Sequence, residues 1–140
     1  GKDDPLYPEV NEEVFHQAVQ GKVIFTGLVS EEDLIALYNL SLAYVFPSLY
    51  EGFGLPVLEA MQCGTAVCAS SVSSIPEIAG EQNAVFFNPL DPVDMAAKIE
   101  QVISDQAFQW RLIQNGFNRV KDFSWDKMAK EIAQIYNTKI

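Results

Sequence analysis

Four short runs in this chain are apolar almost without a break: Val23-Ile-Phe-Thr26, Ala43-Tyr-Val-Phe46, Ala66-Val-Cys-Ala69 and Ala84-Val-Phe-Phe87. A strand with one wet face alternates polar and apolar residues, whereas a continuous β-branched or aromatic run suits a parallel strand covered on both faces. The stretches between the runs carry helix starts. Ser30 precedes Glu31, Glu32 and Asp33 in a capping-box arrangement, which predicts a helix with Leu34, Leu37 and Tyr38 turned inward. Asp91-Pro92 opens a helix carrying Met95, Ala96, Ile99, Val102 and Ile103, and Ser124 caps a last one through Trp125, Met128, Ile132 and Ile135. Further helices are predicted over Phe108 to Val120 and over Glu9 to Val19, the latter ended by Gly21. Strands alternating with helices require right-handed crossovers, so the predicted class is α/β, a Rossmann-like parallel sheet with flanking helices. The opening Gly1 to Pro8, with two prolines, reads as extended loop.

With 140 residues, 49% of them hydrophobic, the chain can bury a core and is expected to form one domain over 1–140. Nine basic against nineteen acidic residues leave a net charge of -10, so nucleic acid is excluded as a partner by long-range repulsion. No clean apolar run exceeds the five residues of Leu42 to Phe46, far too few to cross a bilayer. The expectation is a soluble, cytoplasmic chain. Cys63 and Cys68, in a chain whose one histidine is His16, fit neither a zinc site nor a disulfide framework and read as reduced core thiols; no metal and no cofactor are expected.

The stretch with chemistry is Tyr50-Glu-Gly-Phe-Gly-Leu-Pro-Val-Leu-Glu-Ala-Met-Gln-Cys-Gly64. It follows the run ending at Phe46, and ligands of open α/β sheets collect beyond the carboxyl ends of strands. Gly52 and Gly54 let backbone approach a ligand closely. Pro56 starts a helix whose first N–H groups, around Val57 and Leu58, form an anion site, and Gly64 ends it. Glu51 before the turn and Glu59 about one turn inside the helix are acceptors without nearby cations. A carboxylate so placed can take two hydrogen bonds from a vicinal diol. Taken singly, Glu59 reads as a helix-start acid and the Gly-x-Gly is a weak signal; their combination carries the reading.

These residues resemble the retaining, nucleotide-sugar-dependent glycosyltransferases of the GT-B fold, the glycosyl transferases group 1. The resemblance rests on Phe46-Pro-Ser48, the glutamates of EGFGLPVLE, Glu59-Ala-Met-Gln-Cys-Gly64, Ser74-Ile-Pro-Glu-Ile78, Asn88-Pro-Leu-Asp-Pro92 and Phe123-Ser-Trp125. It implies that Glu51 binds the transferred sugar and stabilises the transition state. It further implies that Gly52, Phe53, Gly54 and Leu55 line the sugar and distal phosphate, that Glu59 binds the ribose with Val57 and Leu58 near it, and that Leu28 and Val29 pass beside the base. The donor would be a nucleotide sugar such as a UDP or GDP hexose, the acceptor a saccharide or lipid bound by another, N-terminal domain. In that light the chain is an N-terminally truncated donor-binding domain, inactive by itself, of a polysaccharide-building enzyme whose full length is open to membrane association. The resemblance also implies a sheet interrupted between the first two runs, so the outer strand would re-pair or a second copy would add at the exposed edge, giving a homo-oligomer. Other α/β readings are a sugar-nucleotide epimerase-like domain and a noncatalytic nucleotide-binding module. Trp125 is expected to be a packing anchor, and Glu77 either lines the site or is a first-turn acid.

Overall fold

The computed structural model describes residues 20–138, in two compact units that divide after Ala36. The predicted helix over Glu9 to Val19, His16 and the opening Gly1 to Pro8 lie outside the described residues.

Residues 20–30 of the first unit are irregular and lead into helix α1 (Glu31–Leu40), whose residues from Leu37 on, Tyr38 among them, belong to the second unit. Its start is the predicted one: the Asp33 N–H donates to Ser30 Oγ at 3.1 Å, and that hydroxyl donates to the Asp33 carboxylate at 2.8 Å. The run Val23 to Thr26 does not become a strand. Ile24 and Phe25 are exposed at 82% and 66%, and among the described residues no ladder partner lies beside them. Extended backbone persists only where its N–H and C=O groups find a neighbouring strand, so the apolar run gives the capacity for a strand without forming one.

The second unit holds the sheet. Strands β1 (Tyr44–Phe46), β2 (Val67–Ser70) and β3 (Val85–Phe87) are parallel in the order β1-β2-β3, with Tyr44 opposite Val67 and Cys68 opposite Val85. The central strand is buried along its whole length, as its unbroken apolar character requires. Helices α2 (Leu55–Gln62), α3 (Ile75–Ala79), α4 (Pro92–Ser104), α5 (Gln106–Val120) and α6 (Trp125–Thr138) complete the unit. Asp91 and Asp105 cap α4 and α5 through side-chain oxygens that accept from Val93, Asp94 and Phe108 N–H groups. Ala66, Cys68, Val85, Phe87, Val102 and Leu112 form the core beneath α4 and α5. Gly116 on α5 lets that helix lie against Met61 of α2, where an added Cβ would stand 3.0 Å from Met61 Cγ.

Helix α2 ends as read. Gly64, at φ +77°, places its N–H on Met61 O at 3.1 Å, and the Thr65 N–H reaches Ala60 O at 2.9 Å, closing a Schellman motif. Trp125 departs from expectation. It is 74% exposed at the start of α6, and Met128, Ile132, Ile135 and Tyr136 are exposed beside it, because no described residue covers that helix face.

Candidate functional site

Two loops meet at the carboxyl end of the sheet. The first leaves β1 at Phe46 and runs through Glu51 and Gly54 into α2; the second leaves β2 at Ser70 and enters α3. Ser70, fully buried, donates from Oγ to Phe46 O at 3.2 Å and so joins the roots of both loops.

Within the first loop Gly54 adopts φ +115°, a conformation closed to L side chains, and serves as the N-cap of α2 without any side-chain cap. An added Cβ at Gly52 or Gly54 would meet nothing within 4 Å, so neither glycine is pressed against a packed neighbour, although Gly52 is exposed and Gly54 buried. Leu55 is the first helical residue and Pro56 the second. The Val57 N–H donates to Gly54 O at 3.0 Å, and the Val57 and Leu58 side chains are buried in the core. Glu59 is the fifth helical residue, past the first turn where the helix dipole is felt, so its position is not a first-turn charge effect.

Both carboxylates lie near an aromatic wall. The Tyr38 hydroxyl donates to Glu59 Oε2 at 3.3 Å, and the Tyr38 and Tyr44 rings meet edge to face at 5.2 Å, with Phe46 stacked beyond at 6.0 Å. Burial, followed by Tyr44 and Glu59, pushes the Tyr38 phenol far above its ordinary range. Tyr44 is also raised, mainly by burial; a hydrogen bond from Tyr38 opposes this, and the charges of both Glu59 and Glu51 add to it. One phenol thus stands within electrostatic reach of the two glutamates, and the tyrosines remain protonated donors at any physiological pH.

The second loop reaches back to the first. Ser73 Oγ accepts from the Glu51 N–H at 3.2 Å and donates to Glu51 O at 2.9 Å, and Ser74 Oγ contacts Glu51 O at 2.9 Å and Phe53 O at 2.8 Å. Arg119 steadies α3 from behind, donating to Ile78 O and Glu77 O while pairing with Asp122 at 2.9 Å. Glu77 therefore contributes a backbone carbonyl, with its side chain exposed. An apolar cleft of about 570 Å³ opens on the far side of Phe53, between it and Leu58, Phe123, Trp125 and Met128. Leu28 and Val29 belong to the other unit, Leu28 fully exposed and Val29 half-buried. Sequence reasoning missed Tyr38, Tyr44 and Ser73 as parts of the site; Ser74 stood inside a recognised motif without a role.

Cys68 sits in the core with no exposure and its thiol is pushed up to about 11 by burial, while Cys63 is half-buried, raised by burial and by Glu59. Only Cys68 is a core thiol. Because the folded chain holds the Cys68 proton more tightly than the unfolded chain, the associated stability is complete below about pH 8.5 and is lost as pH rises towards 11. Iodoacetamide at pH 8 is expected to modify Cys63 in the folded protein and Cys68 only after urea unfolding, as read by peptide mass spectrometry. Equal rates at both sites would show that the core opens locally.

A parallel sheet with flanking helices, carrying a glycine turn between two carboxylates at its carboxyl end, defines a Rossmann-like domain of the kind that transferases use. The chain belongs to the glycosyl transferases group 1 family, whose pattern matches residues 10–119. It is 46% identical over 110 residues to a serotype-specific mannosyltransferase WbdA of Escherichia coli, a match covering 79% of this chain and 13% of that protein. The O-antigen chain mannosyltransferase B of Escherichia coli is 38% identical over 117 residues, 84% of this chain and 30% of that one. Among solved structures, sucrose-phosphate synthase from Thermosynechococcus elongatus superposes with a TM-score of 0.83 at 31% identity, over 99% of this chain and 37% of that one. The fold is that of a GT-B glycosyltransferase domain, and the chain spans about an eighth to a third of the length of these relatives. No helix among the described residues is long and apolar enough to cross a membrane.

Proposed function

We propose that this chain is the nucleotide-sugar-binding part of a longer retaining glycosyltransferase, which transfers a hexose from a nucleotide-sugar donor to a saccharide or lipid-linked acceptor held by another domain. The observation that carries the reading is the glycine turn of Gly52 and Gly54, with Glu51 on one side and Glu59 on the other, beyond the carboxyl end of β1. In it Glu51 contacts the transferred hexose, the backbone of Gly52 to Leu55 lines sugar and phosphate, and Glu59 accepts from the ribose diol, with backbone near Val57 and Leu58 alongside. The two mannosyltransferases named above favour a mannosyl donor and a polysaccharide product.

Glu59 is oriented by Tyr38 through one carboxylate oxygen, which leaves the other for the diol. Charge-assisted hydrogen bonds of this kind contribute about 1.5–3 kcal/mol each. Ligand-observed NMR of the protein with uridine, guanosine and adenosine diphosphate sugars is expected to show saturation transfer to the ribose of one of them. Glu59→Gln is expected to weaken that binding by about tenfold to a hundredfold. Unchanged affinity in the variant would remove the ribose assignment, and no transfer to any donor in the full-length enzyme would overturn the function.

A further inference from the structure

We propose that Ser73 and Ser74 are positioning residues, a pair of hydroxyls on the loop after β2 that fix the Glu51–Phe53 backbone and thereby the aim of the Glu51 carboxylate; this rests on the reading of Glu51 given above. Ser73 Oγ closes on both backbone groups of one residue, accepting the Glu51 N–H at 3.2 Å and donating to its carbonyl at 2.9 Å. Ser74 Oγ lies between the Glu51 and Phe53 carbonyls, at 2.9 and 2.8 Å, and spans the turn. Its single proton serves one of these carbonyls at a time, and Glu51 O already accepts from Ser73 Oγ, which leaves Ser74 to hold Phe53 O. The first loop has no helix or strand of its own between Phe46 and Leu55, and without such a partner a glycine-bearing turn is free to wander.

The backbone of Ser73 supplies a second, independent observation. Its φ is +60°, and it is the only non-glycine residue with positive φ among the described residues. That conformation costs about 1–3 kcal/mol and persists where surrounding contacts over-determine it. Glycine would remove the strain, yet glycine has no hydroxyl with which to hold Glu51. The arrangement is anchored behind as well: α3 begins directly after Ser74, Ile75 and Ile78 are buried, and Arg119 grips the Glu77 and Ile78 carbonyls. The clamp is therefore mounted on packed structure, while the glycines of the turn that it holds are not pressed against packed neighbours.

Strain and hydroxyl make the hypothesis separable from a simple folding role. Ser73→Gly relieves the φ strain, so it is expected to leave thermal stability equal or higher, while lowering kcat of the full-length transferase by about tenfold to a hundredfold with little change in donor Kd. Ser74→Ala should act in the same direction, and Ser74→Thr, which keeps the hydroxyl at an ordinary φ of -75°, should restore most of the rate. In a Glu51→Gln background the Ser73→Gly effect should largely vanish, because the clamp works through that carboxylate. On the chain itself, hydrogen exchange at the Glu51 amide is expected to accelerate in Ser73→Gly, a readout independent of any activity. Normal kcat in Ser73→Gly, with Glu51→Gln still impaired, would overturn the clamp. Unimpaired Glu51→Gln would instead overturn the functional reading of Glu51, with the exchange measurement still deciding whether the clamp exists.

Discussion

Glu51→Gln is expected to lower turnover of the full-length enzyme by about 10²–10³-fold while leaving nucleotide affinity nearly unchanged. Glutamine keeps the size and one acceptor oxygen of glutamate and removes its charge. The retaining transfer proposed above would pass through a state with positive charge on the sugar ring, and a fixed carboxylate beside that charge is worth most where water is excluded. The backbone of residue 51 is held by Ser73 and not by its own side chain, so the variant should keep the shape of the turn. A loss confined to kcat would then be electrostatic, since an interaction made only in the transition state changes kcat and kcat/KM alike. Single-turnover kinetics with saturating donor, together with donor Kd by calorimetry, separate the cases. A rate within about fivefold of the parent would reduce Glu51 to a sugar contact or a packing group.

How much of this site could be read beforehand depended on the distance over which each interaction acts. Caps are local, so Ser30, Asp91 and Ser124 were legible: their oxygens bond N–H groups two or three residues on. The end of α2 was legible at Gly64 because only glycine takes its φ cheaply. The three real strands were legible because burial on both faces suppresses alternation. Val23 to Thr26 carries the same signal without a ladder partner among the described residues, and the pattern of one segment does not report whether a second lies beside it. The supports of the glutamates were not legible for a related reason. Tyr38 meets Glu59 across 21 residues and Ser73 meets Glu51 across 22, and each side chain also has an unremarkable local reading, as a helix-face aromatic or a loop serine. Even the positive φ of Ser73 left no mark, since a serine, unlike a glycine, does not announce one. The candidate site is two carboxylates legible in a motif, bonded by neighbours that only the fold brings to them.

The same dependence on long-range packing makes β3 the place where stability is most exposed, and Phe87→Ala is expected to destabilise the chain by about 3–5 kcal/mol. Phe87 ends a three-residue edge strand and is 1% exposed. Its ring joins a core cluster with Cys68 of β2, Val102 of α4 and Leu112 of α5, so it bridges the sheet to both helices that cover this side. Truncation removes the transfer energy of a ring and leaves a cavity that the three surrounding elements cannot all close at once. Domains of this size are stable by about 5–15 kcal/mol in total, so the loss approaches the whole margin in the least favourable case. Phe87→Leu keeps an apolar branch in the same space and should cost much less. Urea titration followed by far-ultraviolet circular dichroism suits the test, because Trp110 and Trp125 are 62% and 74% exposed and report poorly on core loss by fluorescence. A lower midpoint with an unchanged slope would place Phe87 in the cooperative core. A change below about 1 kcal/mol would mean that β3 opens apart from the rest, and the second loop, whose Ser71 N–H is held by the Phe87 carbonyl at 2.9 Å, would then rest on a frayed strand.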